Sequence, residues 1–186
     1  MKNFHNISLE KICNHKLVYD VVPTRGMYGV DNVCFLREDY KLKEREVLNG
    51  ISFHFSFGEY DNVQCEMQHI EVGVKASSLH IIGFAYWGDT NEYFKVVFED
   101  GSEEYVKIPF MDWSHKASIE LAERVWYGDG ISTIKTVISS GELILLRHLH
   151  HSVGKIESSK IIKEIIFPDN MFLHVLSVTL EEENED

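Results

Sequence analysis

The chain has 186 residues and a formal net charge of −12, because 18 lysines and arginines stand against 30 acidic residues. This acidic balance argues against nucleic-acid binding and against an anionic membrane surface, since both partners call for a basic protein face. No apolar run resembles a signal core or a membrane span, and the three cysteines are too scattered for a disulfide framework or a zinc motif. These features predict a reduced, cytoplasmic protein.

The chain length and composition also bear on domain organisation. Hydrophobic residues make up 44% of the sequence, which is enough to build a core without disulfide staples. The sequence holds only three prolines and no long glycine- or serine-rich linker. We therefore expect a single domain over residues 1–180, followed by a solvated acidic tail at residues 181–186.

Short strand-like segments follow one another along the chain. The first fifty residues are irregular, and the charged segment 37–46 suits either a helical turn or an exposed loop. From Gly50 on, apolar and polar residues alternate with a period of two, which is typical of a half-buried strand. Residues 118–126 fit a strand or a helix equally well. The predicted strands are residues 17–22, 33–36, 50–57, 63–67, 79–86, 92–99, 103–110, 132–138, 142–150, 161–167 and 172–180.

Two of these segments allow more detailed predictions. Residues 79–86 are mostly apolar and suit a central strand that is buried on both faces. Asp100 and Gly101 lie between two alternating segments and predict a hairpin with a type I′ turn. The side chains of this hairpin expected in the core are Phe94, Val96, Phe98, Val106, Ile108 and Phe110. Many short strands without βαβ alternation predict an all-β, antiparallel β-sandwich or jelly roll.

A series of short sequence words also bears on the family. The words are VLNGISF at residues 47–53, YDNV at 60–63, LHIIG at 79–83, VVFEDGS at 96–102 and DW at 112–113. In this order they resemble the NPCBM-like carbohydrate-binding jelly rolls, which are relatives of the galactose-binding-domain fold and are often appended to bacterial glycoside hydrolases. The resemblance extends from Leu17 to Leu180. It implies a non-catalytic, sugar-binding β-sandwich without a cofactor, apart from a structural calcium ion in some members.

The turns predict where a ligand would bind. Alternate turns of antiparallel strands emerge at the same end of a sandwich, so the turns at residues 58–62, 87–91 and 111–118 share one end. An aromatic ring packs under the C–H groups of a sugar, and carboxylates and amides bind its hydroxyls. We therefore expect a carbohydrate site at this end. Its candidate residues are Tyr60, Asp61, Asn62, Trp87, Asp89, Thr90, Asn91, Asp112, Trp113 and His115.

The same residues also suit structural roles. Aspartate and asparagine are common in turns, because their side chains bond nearby backbone groups. Trp87, or the pair Asp112 and Trp113, equally suits a cap over the core with the indole N–H satisfied. Tyr60 and its neighbours also fit an ordinary structured turn.

Other classes of function stay open. His148 and His150 fall on one face of a strand and can supply two metal ligands, although spacing identifies no third or fourth. Nucleophile and phosphate-binding motifs are absent, while paired carboxylates for glycoside hydrolysis are not excluded. The sequence thus favours non-catalytic carbohydrate binding. The alternatives are a partner-binding or homo-oligomeric protein without a sugar ligand and a metal-dependent enzyme built on the two histidines.

Overall fold

A computed structural model describes residues 3–21, 23, 29–30, 33–36, 43–48, 50–114, 134–138 and 144–182. Every regular element in these ranges is a β-strand, which confirms the all-β prediction. Within them no helix is long and apolar enough to cross a bilayer. The strands are β1 (Phe4–Ile7), β2 (Val18–Tyr19), β3 (Val33–Leu36), β4 (Arg45–Leu48), β5 (Ile51–His54), β6 (Val63–Glu66), β7 (His69–Glu71), β8 (Ala76–Ala85), β9 (Thr90–Phe98), β10 (Glu103–Phe110), β11 (Ile134–Ile138), β12 (Ile144–Arg147), β13 (His150–Lys155), β14 (Ile162–Ile166) and β15 (Asp169–Glu182).

The described strands pair into three sheets and a hairpin. In the central sheet, β15 pairs with β8, which in turn pairs with β13, while β1 and β6 pair with different parts of β15. The front sheet has the order β10-β9-β14-β7, and the back sheet has the order β12-β11-β3-β2. Strands β4 and β5 form the hairpin. All of these pairings are antiparallel except that of β2 with β3, which is parallel.

Strand β8 lies at the centre of the packing and is buried on both faces, as predicted. Leu79 and Ile81 belong to an apolar cluster that includes the inward side chains of the front sheet. Ile82 and Phe84 point the opposite way and join a second cluster with residues of β2, β3 and β5. The alternation follows from the period of two along a strand. The hairpin residues predicted for the core are all buried: Phe94, Val96, Phe98, Val106, Ile108 and Phe110.

A bent two-stranded ribbon joins the central sheet to the front sheet. Strands β6 and β15 pair in the central sheet, and their continuations β7 and β14 pair in the front sheet. At the bend, the N–H of Met67 donates to Pro168 O at 3.3 Å and the N–H of Phe167 donates to Gln68 O at 2.9 Å. The alternation predicts that Met67 is buried with Val63 and Cys65. Instead, Met67 adopts a φ of 61° and is 56% exposed. Bends of this kind close the corner between packed sheets.

The hairpin β9–β10 forms as predicted, but its turn type differs. A type I′ turn needs positive φ at both central residues. Here Gly101 has a φ of 82°, whereas Asp100 does not have a positive φ. The N–H of Gly101 donates to Phe98 O at 2.9 Å, which puts Glu99 and Asp100 at the centre of the turn and Gly101 at a bulge after it. Asp100 stabilises the turn in another way, because its Oδ1 accepts the N–H of Ser102 at 2.9 Å.

Some other predicted elements are shifted. Arg45 and Glu46 belong to β4 and not to a helical turn or a loop. The predicted strand at residues 142–150 divides into β12 and β13, because the N–H of His148 donates instead to Trp113 O at 2.7 Å. Strand β15 continues to Glu182 and so includes the first two residues of the predicted tail. The ambiguous segment 118–126 lies outside the described residues.

Candidate functional site

The turn from β8 to β9 holds a bulky side chain in an uncommon backbone conformation. Trp87 has a φ of 75°, and the next residue, Gly88, has a φ of 120°. A left-handed conformation costs a non-glycine residue about 1–2 kcal/mol. It persists only where the surrounding structure holds it, and such positions cluster at functional sites. The conformation of Trp87 therefore identifies this turn as a candidate site.

Two carboxylates hold the turn in place. The N–H of Gly88 donates to Asp112 Oδ2 at 2.7 Å, and the N–H of Asp112 donates to Asp89 Oδ1 at 2.7 Å. The other oxygen of Asp112 accepts the N–H of Ser114 at 2.8 Å. These bonds join the turn at residues 86–89 to the segment at residues 111–114. The structure thus brings together two of the three loops that were expected to converge.

Trp87 lies beside a second exposed aromatic side chain. Trp87 is 79% exposed and Phe172 is 40% exposed. Their ring centroids are 5.8 Å apart and the ring planes differ by 20°, so the rings are offset-stacked. Tyr86 also contacts Phe172. Its N–H donates to Phe172 O at 3.0 Å, and the two rings pack edge-to-face with centroids 5.2 Å apart. Trp87 and Phe172 together are called the Trp87 platform below.

Polar side chains form a rim beside the Trp87 platform. Glu92 Oε1 accepts the hydroxyl of Thr90 at 2.7 Å and the amide of Asn170 at 2.6 Å. Asn170 Oδ1 in turn accepts the N–H of Phe172 at 2.9 Å. One amide therefore positions both the carboxylate of Glu92 and the backbone of Phe172. Asp89 is also exposed and lies two residues from Trp87 in the chain.

Two residues expected at the site are instead directed into the protein. Asp61 is 2% exposed, and its carboxylate accepts the backbone N–H groups of Leu17 and Val18, each at 2.9 Å. Asn62 is fully buried, and its Oδ1 lies 2.8 Å from Nδ1 of His174. These side chains attach the N-terminal segment to the central sheet. The structure therefore does not place them on the surface with Trp87.

The remaining predicted residues occupy different environments. Trp113 is 5% exposed and stacks on Phe84 with centroids 4.8 Å apart, so its ring belongs to the core and does not face solvent. Tyr60 is 46% exposed on the loop at residues 58–62. Asn91 is exposed on β9, but strand alternation directs its side chain opposite to those of Thr90 and Glu92. His115 lies outside the described residues.

The two histidines considered as metal ligands are buried next to the segment at residues 111–114. His148 is 9% exposed and His150 is 1% exposed, and their ring centroids are 6.2 Å apart. Nε2 of His150 lies 3.3 Å from the backbone oxygen of Asp112. Burial lowers the pKa of His150 to about 4, which keeps the imidazole neutral near pH 7. Among the described residues, no group of three or more His, Cys, Asp or Glu side chains could hold a metal ion.

The sequence did not identify Phe172, Glu92 or Asn170 as site residues. They come from β15 and from the inward side of β9, and only the folded chain brings them beside Trp87. A local signal does precede Phe172, since Asp169 and Asn170 are turn-forming residues at the start of a predicted strand. A scan of the chain against protein-family models finds no match.

Proposed function

We propose that this protein is a non-catalytic carbohydrate-binding module and that the Trp87 platform receives the sugar. The observation that carries the proposal is Trp87, which is 79% exposed, stacks against Phe172 and has a left-handed backbone. Large aromatic side chains are normally buried, so an exposed and rigidly positioned pair indicates a binding surface. Its flat apolar area suits the C–H face of a pyranose ring.

The polar rim supports the same class of ligand. Asp89 and Glu92 offer carboxylate oxygens to sugar hydroxyl donors, and Asn170 offers an amide beside Glu92. No deep cavity is needed, because a sugar lies across an aromatic face and keeps much of its own surface in water. The cavity of about 610 Å³ described below lies elsewhere on the molecule.

We infer a jelly roll related to the galactose-binding-domain fold, in which loops at one end of two packed sheets bind the sugar. The packing of the central sheet against the front sheet supports this inference, as does the position of the platform at the β8–β9 turn. The calcium ion that the resemblance implies for some members is not part of the proposal, because among the described residues no group of three or more His, Cys, Asp or Glu side chains could hold a metal ion.

A glycan array followed by calorimetry tests the proposal. We expect one class of neutral glycan to bind, and we expect Trp87→Ala to weaken that binding about tenfold or more, because the platform loses its main apolar face. Tyr105→Ala is the matched control, since Tyr105 is a 61% exposed aromatic side chain on β10. The absence of any glycan ligand, or equal binding by Trp87→Ala and the native protein, would contradict the proposal.

The non-catalytic part of the proposal has its own test. The native protein is incubated with the glycan that it binds, and the products are separated by chromatography. We expect the glycan to be recovered intact. Release of shorter sugars that depends on Asp89 or Glu92 would show instead that the rim carboxylates act as a hydrolytic pair.

A further inference from the structure

A groove on another part of the molecule runs between two sheet edges. It has a volume of about 610 Å³ and lies between β1, at the edge of the central sheet, and β7, at the edge of the front sheet. Its apolar lining comes from Ile7, Ile12 and Ile70. An open sheet edge is a template for a further strand, and proteins normally protect such edges unless they use them.

The hydrogen bonds of β7 show which of its backbone groups face the groove. On either side of β7, the N–H of Val72 donates to Lys163 O of β14 at 3.0 Å, and Gln68 O accepts the N–H of Phe167, directly after β14, at 2.9 Å. Backbone groups of successive residues in an antiparallel pair point in alternate directions. The N–H and C=O groups of His69 and Glu71 therefore point away from β14, toward the groove. Among the described residues, they make no backbone hydrogen bond.

The charges around the groove select the kind of partner. Glu10, Glu71 and Glu164 contribute carboxylates, and Lys11 contributes the only ammonium group in the lining. Nδ1 of His69 lies 2.9 Å from the carboxylate of Glu164. The whole chain carries a net charge of −12, which disfavours a second copy and favours a basic partner.

We propose that this groove binds an extended segment of a protein partner in which apolar residues alternate with lysine or arginine. The segment adds a strand to the free edge of β7 and bonds to the backbone of His69 and Glu71. Its apolar side chains contact Ile12 and Ile70, while its basic side chains face the carboxylates at the rim. Backbone bonds supply affinity in this mode and alternate side chains supply specificity. The site is separate from the Trp87 platform and does not depend on sugar binding.

The first test uses defined peptides and the native protein. A fluorescein-labelled peptide of alternating lysine and valine is titrated by fluorescence anisotropy at low and at high salt. We expect saturable binding that weakens with salt, and no binding of a glutamate–valine peptide. The same lysine–valine peptide with every backbone nitrogen methylated keeps its charge but cannot donate to a strand edge, so it should not bind. Equal binding of the methylated peptide, or no binding of the parent peptide, would overturn the proposal.

Variants at one position separate the backbone contribution from the charge. Glu71→Pro removes an N–H that does not bond to β14, so the sheet keeps its ladder while the edge loses a donor. We expect Glu71→Pro to bind the peptide about fivefold more weakly than Glu71→Gln, which corresponds to the loss of one hydrogen bond. Glu157→Gln is the control for charge, because Glu157 is an exposed carboxylate outside the groove lining. Circular dichroism confirms that each variant is folded.

Two further experiments cover a Glu71→Pro variant that does not fold and the self-association of the native protein. If Glu71→Pro does not fold, the double variant Glu71→Gln with Glu164→Gln replaces it and should lose most of the salt-dependent binding. Sedimentation of the native protein without peptide tests whether a second copy of the chain occupies the free edge of β7. A dimer of the native protein that Glu71→Gln strengthens would assign the groove to self-association and overturn the proposal.

Discussion

Trp87 has an exposed apolar ring and a left-handed backbone, and both features are unfavourable in the free protein. The backbone is held by hydrogen bonds from residues around it, chiefly the bond from Gly88 to Asp112. Since glycine tolerates positive φ and alanine does not, two substitutions at this position separate the backbone strain from the ring. Both remove the indole from the Trp87 platform, and they differ chiefly in the conformational energy of the turn.

We expect Trp87→Gly to be more stable than Trp87→Ala by about 1 kcal/mol, because only glycine relieves the strain at a φ of 75°. Urea unfolding with unchanged slopes for both variants measures the difference. Both variants should bind the sugar about tenfold or more weakly than the native protein does. Equal stability of the two variants would show that the turn relaxes when the indole is removed, and that the conformation of Trp87 is not imposed by its surroundings.

The same residues show which features of the site the sequence could predict and which it could not. The count of strand reversals predicted that the turns holding Asp89 and Asp112 would share one end, and in the structure the N–H of Asp112 donates to Asp89 Oδ1 at 2.7 Å. The sequence could not separate exposed from buried members of the predicted set, because burial of Asn62 depends on His174, far along the chain. Phe172 was missed for the same reason.

At the level of elements, packing of β13 against β10 requires glycine at position 154. A Cβ atom built on Gly154 would lie 2.4 Å from Cγ1 of Val106 and 2.6 Å from Cγ1 of Ile108. Both distances are shorter than any ordinary contact between carbon atoms. We expect Gly154→Ala to lower the free energy of unfolding by about 1–3 kcal/mol, because the two strands must move apart.

Gly58→Ala provides the matched control for this prediction. Its Cβ would meet only the backbone oxygen of Tyr60, at an ordinary 3.7 Å. Chemical denaturation of the two variants beside the native protein measures the effect. A loss of stability in Gly58→Ala as large as that in Gly154→Ala would show that glycine content, and not the contact between β13 and β10, explains the result.

Strand prediction worked where alternation or continuous burial is strong. Strand β8 and the hairpin of β9 and β10 were predicted because their apolar pattern extends over eight residues or more. The turn type was not predicted correctly, since Asp100 and Gly101 suit more than one type of hairpin turn. Which type forms depends on where the two strands end. The bend at Met67 was also missed, because the alternation of β6 continues through it without a glycine or proline.

Across the whole molecule, several histidines are buried on either face of the central sheet. His80 and His151 stack at 5.2 Å, with Nδ1 of the first 3.0 Å from Nε2 of the second. His174 is fully buried between His15 and Phe84. Composition alone gives ten histidines, but it does not show that the sheet removes so many of them from water. Burial keeps the rings of His151 and His174 neutral near pH 7, which makes the stability of the fold depend on pH.

Burial lowers the pKa of His150 and of His151 to about 4 each, and it lowers the pKa of His174 well below 6.5. The unfolded chain titrates near 6.5, so between pH 6.5 and about 4 it binds more protons than the folded chain does. Stability is therefore complete above pH 6.5 and falls as the pH is lowered through this window. The slope is about 1.4 kcal/mol per pH unit for each histidine that stays neutral.

Urea unfolding across this window should show the decline, and His151→Gln should reduce its slope by about one proton, because glutamine does not titrate. Asp100→Asn is the control. Hydrogen bonds from Lys160 and Ser102 lower the pKa of the exposed Asp100 carboxyl from 3.8, so its contribution is lost only below the histidine window. The variant should therefore keep the native slope between pH 6.5 and about 4. A native slope in His151→Gln would show that the folded protein does not lower the pKa of this ring.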